Sequence, residues 1–355
     1  MTTKVNVLVT AAGSIVGQGI AKCLRLANKR KDGPVTYRVV AADMSAQAAG
    51  LYRSDLGLLV PPASSQDYID MIIRICTEQN IKAIFVGSDE ELMPISGERK
   101  LIESKTGAFP ITNPTTVLST ALDKWKTFEF LNKNNLPCAK SSLPENQEEL
   151  IQEFGFPLVV KPRQGHGSLH IYVVNNKDEI KDAVAAIQQA GWLPVVQEYL
   201  EGEDTEFTSG VTVDKSGKYA MSSISIRRTL KGGQTYKAFI DDFKDIRKSA
   251  EETALKLGGI GPINVQSRLI KGESKIFEIN PRFSATCPLR AIAGVNEPDI
   301  IFRNTVLGED IKIENYQKFV CLRYWNELYV PYSNYQEMSN TKRIENSDAF
   351  IPDYF

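Results

Sequence analysis

The stretch of sequence that decides the fold is GPINVQSRLIKGESKIFEINPRFSAT, residues 261–286. Two apolar runs flank a polar turn that contains a glycine, which is the pattern of an antiparallel hairpin. With that glycine near the centre of the turn, Gln266 is expected opposite Glu278, and Arg268 opposite Ile276. Because side chains alternate along a strand, the polar residues of both strands share one face, with cross-strand neighbours about 5 Å apart. These residues are Gln266, Arg268, Glu278 and Asn280.

This predicted face collects side-chain oxygen atoms. Gln266, Glu278 and Asn280 supply hard oxygen ligands that are too few for a complete cage. Such a set suits Mg²⁺, which takes its remaining ligands from water and from the phosphates of a nucleotide. Arg282 lies two residues beyond Asn280 and extends the line toward an anionic group. The alternative is an exposed sheet face, where polar residues alternate in the same way.

A basic residue followed by a glycine loop favours the ligand interpretation. Lys161 is near the end of the run FPLVVKP, residues 156–162, which reads as a buried strand, and the following residues include Gly165 and Gly167. Glycines in such a loop allow backbone N–H groups to approach phosphate oxygens. A strand end or a hairpin turn explains each feature alone, whereas the two together indicate an anion site.

The first 115 residues alternate strand and helix, which predicts a parallel open sheet with its functional edge at the strand carboxyl ends. The first turn offers Gly13, Gly17 and Gly19 rather than a regular GxGxxG pattern, and Asp43 ends the second strand. A dinucleotide site is one interpretation of this turn. Close helix packing, which also requires glycine, is the other and the favoured one.

A run of acidic residues follows the third strand. In GSDEEL, residues 87–92, Ser88 and Glu91 have the S-x-x-E spacing of a helix capping box. Asp89 and Glu90 remain as candidates for contact with a ligand. Glu90 is therefore included among the predicted substrate contacts.

Composition excludes several classes of function. The chain has 355 residues, is 42% hydrophobic, and carries 42 basic against 43 acidic residues, so neither disorder nor a broad field for nucleic acid is expected. The five cysteines lack a CxxC pair, which fits neither a disulfide framework nor a zinc site. No window approaches about 18 uninterrupted apolar residues, so no membrane span or membrane partner is expected. These features predict a cytoplasmic protein that acts on small molecules.

Four ordered segments resemble the ATP-grasp superfamily, in particular its single-module branch similar to the carbamoyl phosphate synthase large subunit. They are DKWKTFEFLNKNNLP (123–137), VVKPRQGHGS (159–168), VVQEYLEGEDTEFT (195–208) and NVQSRLIKGESKIFEINPRF (264–283). The resemblance implies an α/β and α+β protein with an ATP-grasp fold. The implied parts are a Rossmann-like preceding domain (1–115), an ATP-grasp N-terminal lid subdomain (116–194), an ATP-grasp C-terminal catalytic subdomain (195–310) and a C-terminal extension (311–355).

The resemblance also implies roles for the residues that match the family motifs. Lys124 and Lys161 correspond to the phosphate-contacting lysines. The loop that closes over the triphosphate is Gly165, His166, Gly167 and Ser168. The hinge that reads adenine is Gln197, Glu198 and Leu200, and Glu206 is the ribose-binding acid. The metal ligands are Gln266, Glu278 and Asn280, and Arg282 is the clamp for the γ-phosphate or acyl phosphate. Arg282, Lys161 and Asn280 form the implied catalytic set.

The implied function is ATP-dependent ligation with Mg²⁺ or Mn²⁺. A small carboxylate becomes an acyl phosphate, and an amine then displaces phosphate, so that ADP and phosphate are released. A related alternative is a carboxylate or carbamate kinase similar to carbamoyl phosphate synthase. An NAD-dependent oxidoreductase and a non-catalytic nucleotide sensor are alternatives of another class. The chain has one such module, whereas carbamoyl phosphate synthase has two, so full carbamoyl phosphate synthesis is not expected.

The substrate pocket and the tail each allow two interpretations. Arg227, Arg228 and Lys231 form a dense basic cluster that reads either as an anion-binding substrate contact or as a solvated strand end. The aromatic residues of the tail, residues 311–355, indicate a packing extension or a homodimer element rather than a substrate wall.

Overall fold

Three β-sheets organise the chain in the computed structural model, which describes residues 3–165, 169–202 and 204–353. The N-terminal sheet is built first along the chain and its strands run parallel, as the sequence predicted. Its strands are β1 (Thr3–Val9), β2 (Val35–Asp43), β3 (Leu56–Leu59), β4 (Ile81–Phe85) and β5 (Phe109–Ile111). Its helices are α1 (Ile15–Asn28), α2 (Tyr68–Glu78), α3 (Asp89–Gly97) and α4 (Arg99–Thr106), with a 3₁₀ turn at Ala49–Arg53.

The turn between β1 and α1 shows why glycine is needed there. A Cβ atom on Gly17 would lie 2.3 Å from the carbonyl oxygen of Ala11, which no side chain could accept without a shift of the backbone. Ser14 caps α1 by accepting a hydrogen bond from the N–H of Gly17. The strand β1 is a short apolar run with buried residues on both faces, as expected in a parallel sheet that helices cover.

The second sheet has four antiparallel strands and forms a separate layer with its own core. The elements of this part are α5 (Thr115–Ala121), α6 (Lys124–Lys133), β6 (Ser141–Ser142), a 3₁₀ turn (Pro144–Asn146), α7 (Gln147–Phe154), β7 (Leu158–Pro162), β8 (Tyr172–Val174), α8 (Lys177–Gln189) and β9 (Pro194–Glu198). The strand order is β6-β9-β7-β8. Leu158 and Val160 of β7 pack against Ile180 and Ile187 of α8, so the helix stripe at 3.6-residue spacing covers one face of this sheet.

The third sheet is antiparallel and carries the hairpin that decides the fold. Its part of the chain contains β10 (Glu206–Val213), β11 (Ala220–Lys231), β12 (Gln234–Ile240), α9 (Lys244–Lys256), β13 (Gly261–Ile270), β14 (Glu273–Asn280), α10 (Cys287–Ile292) and α11 (Glu297–Thr305). Strand β12 pairs antiparallel with β11. Val7 and Val9 of β1 belong to the same apolar core as Ile224 and Ile226 of β11, so the N-terminal and third sheets share one core.

The tail joins two of these sheets. It contains β15 (Phe319–Leu322), α12 (Tyr332–Thr341) and β16 (Arg343–Glu345). The six-strand order of the third sheet is β14-β13-β10-β11-β12-β15, and that of the N-terminal sheet is β16-β3-β2-β1-β4-β5. Strand β15 pairs antiparallel with β12 at the edge of the third sheet, and β16 pairs antiparallel with β3. The tail therefore packs as an extension within the chain, and its role in a dimer stays a prediction. Among the helices of the described residues, none has the length and apolar character that crossing a bilayer requires.

Candidate active site

The hairpin of β13 and β14 carries the predicted oxygen ligands. Gln266 lies opposite Glu278, which confirms the predicted register at this position. Arg268 lies opposite Lys275, so the prediction that Ile276 would be its partner was wrong. The two outcomes show that the register is correct at one end of the hairpin and shifted by one residue at the other.

The shift has a local cause in the turn and in the strand. The turn contains only Lys271 and Gly272, whose φ angles of 50° and 84° are those of a tight two-residue hairpin turn. Beyond the turn, a β-bulge leaves Phe277 without a partner in the ladder. One extra residue in β14 restores the register at Glu278, and such bulges are frequent beside active sites.

The predicted metal ligands Gln266, Glu278 and Asn280 place one carboxylate and two amide oxygens on one face of the hairpin. The Oδ1 atom of Asn280 accepts from Arg282 at 3.0 Å, and the Oε1 atom of Gln266 accepts from Arg228 at 3.0 Å. The Nδ2 atom of Asn280 is buried and has no hydrogen-bond partner among the described residues. Within those residues no group of three His, Cys, Asp or Glu side chains could hold a metal. A metal at this hairpin would depend on Glu278, two amide oxygens and outside ligands, which is the donor set that Mg²⁺ accepts.

Two lysines, Lys124 and Lys161, interact electrostatically with the carboxylate of Glu278. The Nζ atom of Lys124 lies 3.7 Å from Glu278 and donates to the carbonyl oxygen of Gly165 at 3.1 Å. Lys161 is buried and donates to Gln197 at 2.7 Å. Burial, together with the charge of Lys124, lowers the pKa of Lys161 to about 7, although Glu278 opposes the shift. An anion bound beside Lys161 would favour the charged form of this lysine.

The predicted phosphate loop is only partly within the described residues. Gly165 has a φ of 122°, which favours glycine, and no atom would meet a Cβ placed on it. His166, Gly167 and Ser168 lie outside the described residues. The start of α6 is fixed beside this loop, because the N–H of Lys124 donates to the carbonyl of Arg163 and Arg163 pairs with Asp123 at 2.7 Å.

The residues of the predicted adenine hinge connect the second sheet to the third sheet through an ion pair and hydrogen bonds. Glu198 accepts from the Nζ atom of Lys275 at 2.8 Å, and both its carboxylate and its backbone are tied to neighbouring strands. The carbonyl oxygen of Leu200 accepts from Arg268 at 3.1 Å. Gln197 holds Lys161, so its side chain is directed toward the predicted phosphate site rather than away from it.

The predicted ribose acid has two arginine partners. Glu206 accepts from Arg228 at 2.9 Å and from Arg268 at 3.0 Å, and Arg228 also donates to Gln266. Glu206, Arg228 and Arg268, with Leu230, line an open cavity of about 330 Å³. Arg228 therefore links the side-chain oxygen of Gln266, a predicted metal ligand, to Glu206, the predicted ribose contact, which lines this cavity.

The predicted basic substrate cluster does not form. Arg227 and Arg228 are successive residues of β11 and point to opposite faces of the sheet. Arg227 pairs with Asp204 at 3.3 Å, while Arg228 is buried beside Glu206. Lys231 is exposed and lies over the ring of Tyr236 at 5.2 Å. Because each cation has a separate partner, the structure does not bring the three together around one anion.

Arg282 is held by a carboxylate from the N-terminal sheet. Its Nε and Nη2 atoms donate to the two oxygens of Asp89 at 2.6 Å and 3.1 Å, and its Nη1 atom donates to the carbonyl of Phe283. Burial works against the charged form, but the carboxylates of Asp89, Glu278 and Glu90 outweigh it and raise the pKa of Arg282. Glu90 is exposed beside this pair, at the start of α3.

The capping box predicted for α3 is wrong. The side chain of Ser88 makes no capping hydrogen bond to the helix backbone. Glu91 instead is buried and accepts from Thr10 at 2.6 Å and from Tyr68 at 2.7 Å. Burial raises the pKa of Glu91, against the effect of these donors. The acidic residue therefore links β1 and α2 to α3 and does not serve as a cap.

Sequence reasoning also missed a buried ion pair on the inner face of the third sheet. Arg290 and Glu297 are buried, pair at 2.9 Å, and reach β13 through Asn264 at 2.7 Å. A Cβ on Gly210 would lie 1.9 Å from the Glu297 carboxylate, so this glycine makes room for the pair. Two charged residues in a mostly apolar helical stretch were the available signal, because such residues are rarely buried without a partner.

The glycine turn of the N-terminal sheet supports the packing interpretation over a dinucleotide site. Asp43 accepts from the N–H groups of Gly13 at 2.8 Å and of Ser45 at 2.9 Å, so its carboxylate closes the turn on itself. The close approach of Gly17 to Ala11 explains another of the glycines. The residues that suggested an NAD-dependent oxidoreductase are thus used in local structure.

Comparison with protein families places two domains on the chain. Residues 121–286 match an ATP-grasp domain, and residues 7–107 match the N-terminal domain described as PylC-like. The carbamoyl phosphate synthase large chain of Methanocorpusculum labreanum is 24% identical over 338 residues, which cover 88% of this chain and 31% of that protein. The chain spans less than a third of the length of the large chains that it matches first.

Solved structures show the same fold at low sequence identity. N5-carboxyaminoimidazole synthetase from Staphylococcus aureus, complexed with ADP, has a TM-score of 0.68 at 14% identity, covering 96% of this chain and 86% of that one. The biotin carboxylase domain of 2-oxoglutarate carboxylase from Hydrogenobacter thermophilus, complexed with MgADP and bicarbonate, has a TM-score of 0.65 at 18% identity, covering 89% and 72%. The likeness confirms the predicted ATP-grasp fold.

Proposed function

Because the chain contains an ATP-grasp domain preceded by a PylC-like N-terminal domain, we propose that it is an ADP-forming ligase. It would activate a small carboxylate as an acyl phosphate and transfer the acyl group to an amine. The proposal rests on one observation about Glu278, which lies opposite Gln266 on the hairpin. Its carboxylate is 3.7 Å from the Nζ atom of Lys124 and also interacts electrostatically with the buried Lys161. These oxygens and amines lie where we propose that the triphosphate is held.

The first step is phosphoryl transfer to the carboxylate. A carboxylate oxygen attacks the γ-phosphorus of ATP, the bond from that phosphorus to the bridging β-phosphate oxygen breaks, and ADP leaves. Lys161 and Arg282 offset the charge on the transferring group, since phosphoryl transfer depends on positioning and charge stabilisation. Lys124, anchored to the loop by the carbonyl of Gly165, holds the phosphates from the lid side.

Gln266, Glu278 and Asn280 would hold Mg²⁺, or Mn²⁺ in its place, on the same face of the hairpin. When bound, such an ion neutralises phosphate charge and draws the phosphoryl oxygens into place. Arg282 contributes in a second way, because its hydrogen bond to Asn280 directs the Oδ1 atom of that residue.

In the second step the amine nitrogen attacks the acyl carbon, phosphate leaves with the bonding electrons, and the nitrogen gives up a proton. Water must be excluded from the site, because it would hydrolyse the acyl phosphate. We assign this exclusion to closure of the loop that begins at Gly165. The same proposal includes the domain division at residues 115, 194 and 310, the adenine hinge and the homodimer role of the tail. It also includes a cytoplasmic location of the protein, which its five free cysteines favour.

Trapping of the intermediate tests this proposal. With Mg-ATP, a panel of small carboxylates and hydroxylamine as the amine, the protein is expected to release ADP and form a hydroxamate from its own carboxylate. The Glu278→Ala variant is expected to lose about 10²-fold or more of this turnover, because it removes the only charged oxygen ligand. Glu273→Ala, an exposed residue of the same strand, is the matched control and is expected to retain activity.

The products separate this function from its rivals. AMP and pyrophosphate would indicate an adenylate and contradict the acyl phosphate. ADP formation with a stable phosphorylated product, and no transfer to any amine, would favour the kinase. Stabilisation by NADH but not by Mg-ATP, measured as a shift in melting temperature, would support the oxidoreductase instead.

A further inference from the structure

We propose that Asp89 of the N-terminal domain is the positioning residue of Arg282, so that the clamp for the γ-phosphate is assembled across two domains. The inference rests on the proposed function, because it concerns how Arg282 meets the transferring phosphoryl group. It adds a residue that lies outside the ATP-grasp domain, which begins at residue 121.

The guanidinium of Arg282 has almost all of its donors engaged. Asp89 accepts from Nε and from one N–H of Nη2, in the two-pronged geometry that fixes the plane of an arginine. The other N–H of Nη2 donates to Asn280, and Nη1 donates to the carbonyl of Phe283. Five donors and four hydrogen bonds leave a single N–H, on Nη1, without a partner among the described residues. These hydrogen bonds fix the guanidinium and set the direction of the remaining N–H group on Nη1.

The backbone beside Arg282 is fixed from the same domain. Asn113 is buried after β5, and its Nδ2 atom donates to the carbonyls of Pro262 at 2.8 Å and Pro281 at 3.0 Å. Pro281 lies between the predicted metal ligand Asn280 and the clamp Arg282. One amide therefore holds both strands of the hairpin at the point where the two predicted functions meet.

Two roles for Asp89 make opposite predictions. As a positioning residue, it keeps the guanidinium in the plane that phosphate requires, and its loss weakens binding of the transferring group. As a competitor, it occupies Arg282 and neutralises it, and its loss strengthens that binding. The bidentate geometry and the partly buried pair, with side-chain exposures of 14% and 19%, favour positioning, since a guanidinium freed in this site would keep its charge but lose its orientation.

The affinity for a mimic of the transferring phosphoryl group distinguishes the positioning role of Asp89 from the competitor role. Mg-ADP alone probes the nucleotide site, and Mg-ADP with aluminium fluoride adds a planar group at the γ-position. In Asp89→Asn, the affinity for Mg-ADP is expected to stay unchanged, while the gain in affinity from aluminium fluoride falls about tenfold or more, as for loss of a charge-assisted bidentate contact. The turnover number of Asp89→Asn is expected to fall in parallel with the aluminium fluoride gain, whereas its KM for ATP is expected to change little.

Two variants control for a merely structural effect. Asp89→Glu restores the carboxylate and is expected to recover part of the aluminium fluoride gain. Asp55→Asn removes another carboxylate of the N-terminal domain. Asp55 pairs with Arg25 at 3.0 Å, and this pair is not part of the site. It is expected to lower the melting temperature while leaving the aluminium fluoride gain at the wild-type value.

An undiminished or increased gain in Asp89→Asn would overturn the positioning role, provided that the wild-type protein shows the gain. An equal loss in Asp55→Asn would overturn it too, because the effect would then follow stability. A wild-type protein that binds Mg-ADP without any gain from aluminium fluoride would overturn the clamp itself. A wild-type protein that binds no adenine nucleotide would overturn the proposed function, which is a distinct result.

Discussion

Two clusters of arginine and carboxylate, which we call the phosphate end and the ribose end after their predicted ligands, are built in opposite ways. At the phosphate end, formed by Arg282, Asp89 and Asn280, one cation is shared among several oxygens. At the ribose end, formed by Glu206, Arg228 and Arg268, one carboxylate is shared between two cations. Under the proposed function, the first arrangement would orient a cation for an anionic ligand, and the second would orient a carboxylate for hydroxyl groups. The comparison teaches that similar ion pairs prepare different ligand chemistry according to which member is shared.

The largest effect is expected from breaking the phosphate end. Arg282→Ala should lower the turnover number about 10²-fold to 10³-fold, because it removes stabilisation of the charge that develops during transfer. Arg268→Ala, at the ribose end, should act mainly on nucleotide affinity. Steady-state kinetics with the hydroxylamine assay separate the turnover number from the KM for ATP in each variant. Equal losses of turnover in both would contradict the functional division between the two ends.

At the ribose end, Glu206→Gln leaves two guanidinium groups around a neutral amide. We expect ATP affinity to fall by about tenfold, since hydrogen bonds to charged groups contribute roughly 1.5–3 kcal/mol. The preference for ATP over 2′-deoxy-ATP should shrink in the variant, as measured by calorimetric titration. Glu201→Gln, at an exposed neighbouring position, is the matched control. A preference that survives in Glu206→Gln would show that this acid only balances the arginines.

The pH dependence of nucleotide binding sharpens the comparison at Lys161, whose pKa burial lowers to about 7. At pH 8 the lysine is mostly neutral in the free protein, so binding of ADP should take up close to one proton. Affinity should fall by up to about tenfold per pH unit above 7 and level off below it. The unfolded chain keeps the ordinary pKa of 10.5, so stability of the free protein should rise between pH 7 and about 10.

Titration calorimetry in buffers of different ionisation enthalpy measures this proton uptake. Lys161→Met serves as the control and should bind ADP without it. Absence of proton uptake in the wild-type protein at pH 8 would mean that Lys161 is already charged before the nucleotide arrives.

The smallest effect is expected one residue away from the ribose end. Arg227→Ala removes a pair with the exposed Asp204 and a contact with the ring of Phe239 at 4.4 Å. Exposed pairs and cation–π contacts each contribute up to about 1 kcal/mol, so chemical denaturation should show a change of this size. Nucleotide affinity should not change, because Arg227 faces away from Arg228. A loss comparable to that of Arg228→Ala would contradict the assignment of the two residues to opposite faces.

The sequence predicted the parts of the fold that depend on local pattern. The alternation of apolar and polar residues in β13 and β14, and the glycine between them, were sufficient to set Gln266 opposite Glu278. The bulge at Phe277 could not be read, because its position depends on how the strand packs rather than on any turn residue. Strand β12 likewise depends on its neighbours, because its short run of mixed residues pairs with β11 and β15.

Partners of charged residues were the least predictable part of the site. Asp89 and Arg282 lie 193 positions apart and meet only because two sheets share a core. Arg227, Arg228 and Lys231 are close in sequence but have different partners, since strand alternation and cross-strand neighbours decide where each one points. Nearness in sequence is therefore a poor guide to a charged cluster, whereas strand ends at a shared edge are a better one. The functional roles of the site residues stay predictions.

Pairing of β16 with β3 has a consequence for how the molecule is made. The ribosome completes β3 (Leu56–Leu59) well before it synthesises β16 (Arg343–Glu345), the strand that covers the outer edge of β3. During translation the N-terminal sheet therefore carries a bare hydrogen-bonding edge, which is a template for pairing with a foreign strand. Chaperone dependence and yield in the cell should respond to changes in residues 343–345 even though these residues are remote from the catalytic chemistry.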